Sequence, residues 1–120
     1  MQKNGYNPRD YDLGHPLELV DGELDVFGDG TVVCFPTYGH TPGHQSLRVR
    51  LSGGDAVLTA DACYFKRTLE EMNLPPIVHD AEQMRESLRR LGALQKSGAR
   101  LFFGHDPELW ATLPEPAIFS

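Results

Sequence analysis

The sequence predicts a mixed α/β domain in which a β-sheet is flanked by one amphipathic helix. Three observations carry this expectation. Short β-prone runs broken by glycine turns occupy the chain from Leu17 to Ala60. A single stretch with apolar residues at helical spacing follows between Asp80 and Ser97. A last apolar run, Arg100 to Phe103, comes after that stretch. A helix with one apolar stripe must bury it, and the sheet is the surface available.

Residues 1–16 are polar and aromatic, with Gly5, Pro8, Gly14 and Pro16, and read as a connecting segment. Leu17–Val20 is a strand candidate, with a turn at Asp21-Gly22. Leu24–Phe27 is a second, and Gly28-Asp29-Gly30 turns the chain into Thr31–Phe35. From Ser46 to Leu51 polar and apolar residues alternate, so Leu47, Val49 and Leu51 are expected on a buried face. Ser52–Asp55 is a turn, and Ala56–Ala60 reads as a strand buried on both faces. Residues 65–79 contain Pro75-Pro76 and are expected to be irregular, with one helical turn near Thr68–Met72. Asp80 has the character of an N-cap with Gln83 three residues on, and Gly98 that of a helix stop. Met84, Leu88, Leu91 and Leu94 form the apolar stripe between them. Asp106-Pro107-Glu108 predicts a short helix, and the tail from Leu113 to Ser120 is expected to lie over the surface.

The whole chain sets limits on function. At 120 residues it is at most one small domain. A net charge of −6, with the basic residues of the long helix interleaved with acids, disfavours nucleic acid as a partner. No apolar run approaches a membrane span, and the first residues lack the apolar core of a signal peptide. Cys34 and Cys63 do not make a secreted disulfide framework, so a reduced, cytoplasmic setting is the simpler expectation.

Three strand-to-loop corners carry the chemistry. The first is Tyr38-Gly39-His40-Thr41-Pro42-Gly43-His44-Gln45, the second ends at Asp61-Ala62-Cys63-Tyr64, and the third is Phe103-Gly104-His105-Asp106. Singly, each is an ordinary loop: an aspartate after a strand is usually a turn or cap residue. Together they supply two imidazoles and a carboxylate, ligand types that suit zinc. His40 and His44 are four apart, as in a helical zinc motif, but Thr41-Pro42-Gly43 opposes a helix there. His44 is therefore expected as the ligand, and His40 as loop support or as a neighbour that holds a ligand in place.

In this order, GHTPGH, the aspartate corner and FGHD resemble the second half of a metallo-β-lactamase-fold hydrolase, in detail the N-acyl homoserine lactonase branch. The resemblance runs over nearly the whole chain. It implies a four-layer αββα sandwich, of which residues 17–120 would form the C-terminal half. It implies that His44 ligates one zinc, that Asp61 bridges two, and that His105 belongs to the second. Tyr64 matches a tyrosine that hydrogen-bonds the substrate near the metals, and His40 matches a loop position. The family's main signature, His-x-His-x-Asp-His, is absent from this sequence. Met1 is accordingly read as an internal methionine or as the start of a truncated frame.

The resemblance implies a zinc-dependent hydrolase in which metal-bound hydroxide opens a small-molecule lactone or ester. A glyoxalase II-type thioesterase shares the GHTPGH loop, but Tyr64 favours the lactonase branch. Asp106 is left with two candidate roles, orienting His105 or capping a helix. Without the signature motif each metal would be short of ligands, so the chain alone is expected to be catalytically silent. An uncovered apolar sheet face would then favour self-association or docking of an N-terminal half.

Overall fold

The computed structural model describes residues 7–115; the first six residues of the expected connector and residues 116–120 of the tail lie outside the described residues. Asn7 caps a one-turn helix, α1 (Pro8–Tyr11), none of whose residues is buried. Leu17–Val20 is not a strand, and Leu17 and Leu19 are 76% and 94% exposed. Among the described residues no strand pairs with this run, and an unpaired strand leaves its backbone groups without partners.

Among the described residues the sheet has five strands in sequential order: β1 (Leu24–Asp25), β2 (Val32–Pro36), β3 (Gln45–Leu51), β4 (Gly54–Ala60) and β5 (Arg100–Phe103). The first four form an antiparallel meander, and β5 lies parallel to β4. β1 is shorter than the expected Leu24–Phe27. The Asp25 carboxylate accepts the N–H groups of Gly28 and Gly30, at 3.1 and 2.8 Å, and curls the chain into its turn early.

Between β4 and β5 run α2 (Lys66–Glu71) and α3 (Ala81–Lys96), and α4 (Pro107–Ala111) follows β5. α2 ends where Met72 takes a left-handed conformation. α3 begins at Asp80, whose side chain accepts the Gln83 N–H at 3.0 Å, and Gly98 with φ of +106° follows its last turn. The expected stripe is buried: Met84, Leu88 and Leu91 are essentially inaccessible, and the half-buried Leu94 packs at the edge. Leu88, Leu91 and Leu94 meet Phe35, Val57, Leu101 and Phe103, which the pairing register places on one face of the sheet.

That packing decides which face is covered, and it corrects two expectations. Leu47, Val49 and Leu51 are only partly buried, whereas Ser46 on the helix-facing side is fully buried. β4 is likewise covered on one side, since Leu58 is 41% exposed. Leu47 pairs with Leu58 and with Cys34, and Val49 pairs with Val32 and Ala56. The side of the sheet away from α3 is thus apolar and partly open: Leu58 is exposed and Leu47 and Val49 are half-buried, while Ala56 and Phe102 on the same side are buried. Alternation located the strands, but which face was dry depended on where α3 docks.

Candidate active site

The three corners sit at one end of the sheet because of strand direction. β2 leaves that end at Pro36 beside the start of β3 at Gln45, and β4 and β5 both run out there, with Ala60 opposite Phe103. The loop between β2 and β3 is closed by a hydrogen bond from Thr37 N–H to the His44 carbonyl at 3.0 Å. It is docked on the start of α3, where Asp80 N–H donates to the Gly39 carbonyl at 3.0 Å. Gly39 has φ of +127°, and a Cβ there would lie 2.3 Å from the Met84 nitrogen, so only glycine fits. At the end of β4 the register shifts between Leu58 and Ala60, and Ala60 adopts a left-handed φ of 48°. This irregularity turns Asp61 out of the strand, a common device beside functional sites.

The predicted side chains converge. Asp61 Oδ1 lies 2.8 Å from His105 Nε2, and the Asp61 N–H donates to His44 Nε2 at 3.1 Å. The Tyr64 ring stands edge-on to His105 with centroids 4.5 Å apart. His40 stands beside the ligand candidates, the second of its two expected places: its Nε2 is 3.5 Å from Asp61 Oδ2, and its ring lies 5.8 Å from that of Tyr64. Its buried Nδ1 has no hydrogen-bond partner among the described residues. The four-residue spacing of His40 from His44 brings the two rings together here through a turn and not through a helix, with centroids 5.9 Å apart.

The site faces solvent on one side, with the Asp61 and His105 side chains 43% and 58% exposed. Burial, aided by neighbouring His40 and opposed by Asp61, holds the His44 imidazole below its ordinary pKa and therefore neutral at pH 7. Burial and the Asp61 charge push the Tyr64 phenol up, so it stays a hydrogen-bond donor. Burial raises the Cys63 thiol to about 12, which removes it as a nucleophile near neutral pH. Asp106 resolves to a cap: Oδ1 accepts the N–H groups of Glu108 and Leu109, and Oδ2 accepts that of Lys66 at 2.9 Å. The Lys66 N–H is the main cause holding its carboxyl below the usual range.

The donor types suit zinc, but the arrangement is not a metal cage. Among the described residues no group of three or more His, Cys, Asp or Glu is placed to hold a metal ion. The reason is visible in the bonding. His44 Nε2 is occupied by the Asp61 amide, and each Asp61 oxygen faces an imidazole nitrogen. These residues alone do not fit a complete zinc site.

No protein-family model matches the chain. It is 39% identical over 93 residues to an N-acyl homoserine lactonase, AttM, from Azorhizobium caulinodans, a match covering 76% of this chain and 35% of that protein. With AttM from Rhizobium radiobacter it shares 36% identity over 122 residues, covering 96% of this chain and 46% of the relative. A solved N-acyl homoserine lactone hydrolase, with the product N-hexanoyl-L-homoserine at its catalytic metal centre, superposes with a TM-score of 0.70 at 33% identity. That superposition covers 81% of this chain and 38% of the solved one. The chain spans half or less of the length of the relatives it matches. Over that span the chain is similar in sequence to N-acyl homoserine lactonases, and its strands are placed as in metallo-β-lactamase-fold lactonases.

Proposed function

We propose that this chain is the C-terminal half of a metal-dependent lactonase and contributes part of a site that opens N-acyl homoserine lactones. The meeting of His44, Asp61, His105 and Tyr64 at one end of the sheet carries this reading. Similarity to lactonases over about half their length supports it. In this reading His44, Asp61 and His105 are metal ligands, and the remaining ligands come from a first half bearing His-x-His-x-Asp-His. Tyr64, as a protonated phenol beside His105, is poised to donate a hydrogen bond to a lactone oxygen.

A second reading is a catalytically silent half: three candidate ligands shared between two metal positions would leave each position short of donors. The two are compatible: the half is silent alone and active when completed. Tyr64 at the rim of the site also favours a lactone over the thioester of a glyoxalase II-type enzyme. No helix among the described residues is long and apolar enough to cross a membrane.

The test uses the purified chain with zinc and an acyl homoserine lactone, alone and mixed with a separately expressed first half carrying the motif. Background turnover alone and activity on mixing, lost in Asp61→Ala, is the expected result. Robust turnover by the chain alone would overturn the silent-half reading. An inactive mixture would overturn the completed lactonase, and turnover of an acyl thioester alone would transfer the assignment to the thioesterase class.

A further inference from the structure

Behind His44 lies a row of hydroxyls that the chemistry above does not use. Thr37 Oγ1 is 2.9 Å from His44 Nδ1 and 2.8 Å from Ser46 Oγ. Ser46 Oγ is 3.0 Å from the Thr59 carbonyl oxygen. Thr37, Ser46 and Thr59 are at most 1% exposed, so water does not compete for these bonds. Thr59 is itself held, its hydroxyl lying 2.9 Å from the Cys63 carbonyl and 3.1 Å from that of Phe102.

Each hydroxyl has one proton, and this fixes the direction of the row. A carbonyl only accepts, so the Ser46 proton goes to Thr59. Ser46 must then accept from Thr37, which spends the only Thr37 proton. Thr37 Oγ1 is left as an acceptor toward His44, so the imidazole proton sits on Nδ1. Running the row the other way would leave Ser46 Oγ and the Thr59 oxygen 3.0 Å apart with no proton between them. It would also place a proton on His44 Nε2, facing the Asp61 N–H at 3.1 Å. Both ends of the ring demand the same tautomer.

We infer that Thr37, Ser46 and the Thr59 carbonyl form a buried relay that fixes His44 as its Nδ1–H tautomer and turns the bare Nε2 toward Asp61. Thr37 and Ser46 are positioning residues: they act through His44 and touch no reacting atom. The relay joins the residue that follows β2 to β3 and β4, so the pairing of these strands sets the state of the ring. Its functional value rests on the reading of His44 as a metal ligand, since only an unprotonated nitrogen can donate to a metal.

Nitrogen-15 NMR of the histidine rings in the 120-residue chain tests this without metal or substrate. In the unsubstituted protein His44 is expected wholly as Nδ1–H, with its two ring nitrogens far apart in shift. Ser46→Ala frees the Thr37 proton to point at His44, and Thr37→Val removes the acceptor while keeping the shape. In both, the two nitrogen resonances should move toward each other as the Nε2–H form appears, whereas Thr37→Ser should keep the original spectrum. An Nε2–H ring in the unsubstituted protein overturns the relay. So do unchanged spectra in both disrupting variants, which would leave the Asp61 amide alone in control. Lactonase activity plays no part, so failure of the lactonase reading and failure of the relay are separately visible.

Discussion

His105 Nε2 and Asp61 Oδ1 stand 2.8 Å apart although 44 positions separate them in the chain. The contact is set by backbone on both sides. Gly104 N–H donates to the Cys63 carbonyl at 3.1 Å, and His105 N–H to that of Tyr64 at 3.0 Å. These bonds extend the β4–β5 pairing past the end of the sheet and hold two of the three corners as one unit.

Gly104 makes that extension possible, and Gly104→Ala should disrupt it. An added Cβ would lie 2.5 Å from the Ala60 carbonyl oxygen, a backbone atom that cannot step aside alone. The expected cost is about 1–3 kcal/mol, the usual range for forced overpacking, read from urea unfolding. Loss of the His105–Tyr64 backbone bond should appear as faster amide exchange at His105. Unchanged stability and unchanged exchange would show that the two corners are not held in this way.

Asp106 joins the same corner to α2, and its contribution should depend on pH. Its folded pKa is depressed by the Lys66, Leu109 and Glu108 N–H groups. The unfolded carboxyl titrates near pH ~4. The stabilisation is therefore fully present above about pH 4 and is lost as pH falls through the lower folded value. Asp106→Ala should cost about 0.5–2 kcal/mol at pH 7, as for loss of an N-cap. The gap between the two proteins should close in urea titrations repeated toward pH 3. A gap that stays constant with pH would assign the effect to packing instead.

The candidate site was more legible in the sequence than the packing around it. His44, Asp61, Tyr64 and His105 stood out because each follows a strand, and strands ending at one edge bring their loops together. His40 stood out less, because its approach to Asp61 depends on a turn docked against α3 through Gly39. The strand proposed at Leu17–Val20 failed because β-propensity does not supply a partner. The buried face of β3 was misassigned because alternation is symmetric: Leu47 and Ser46 mark opposite faces, and only the position of α3 chooses between them. The stripe on α3 was readable since its spacing leaves a single apolar side.

That stripe can be graded by substitution. Leu91 is fully buried within the central cluster, and Leu91→Ala should cost about 2–5 kcal/mol. Leu94 packs against the cluster from a half-buried position, so Leu94→Ala should cost clearly less. Denaturant midpoints of the two variants, compared at equal slope, check the order. Equal losses would mean that α3 is rotated from the orientation described.

The partly open side of the sheet gives the last prediction. Leu58 is 41% exposed and sits opposite Leu47, next to the half-buried Val49 and Cys34. A family whose fold stacks two sheets normally covers such a surface, and an uncovered apolar patch tends to find a partner. Leu58→Ser should therefore cost about 1 kcal/mol or less in folding stability, since much of this side chain already meets water. It should nevertheless reduce concentration-dependent association of the chain in sedimentation velocity. In the mixing assay, the same substitution should lower the activity recovered with a first half if that half docks here, because this face and not the end carrying His44, Asp61 and His105 has been changed. Association that is indifferent to Leu58→Ser would place the contact elsewhere. Full recovery of activity with the variant would mean that the first half does not dock on this face.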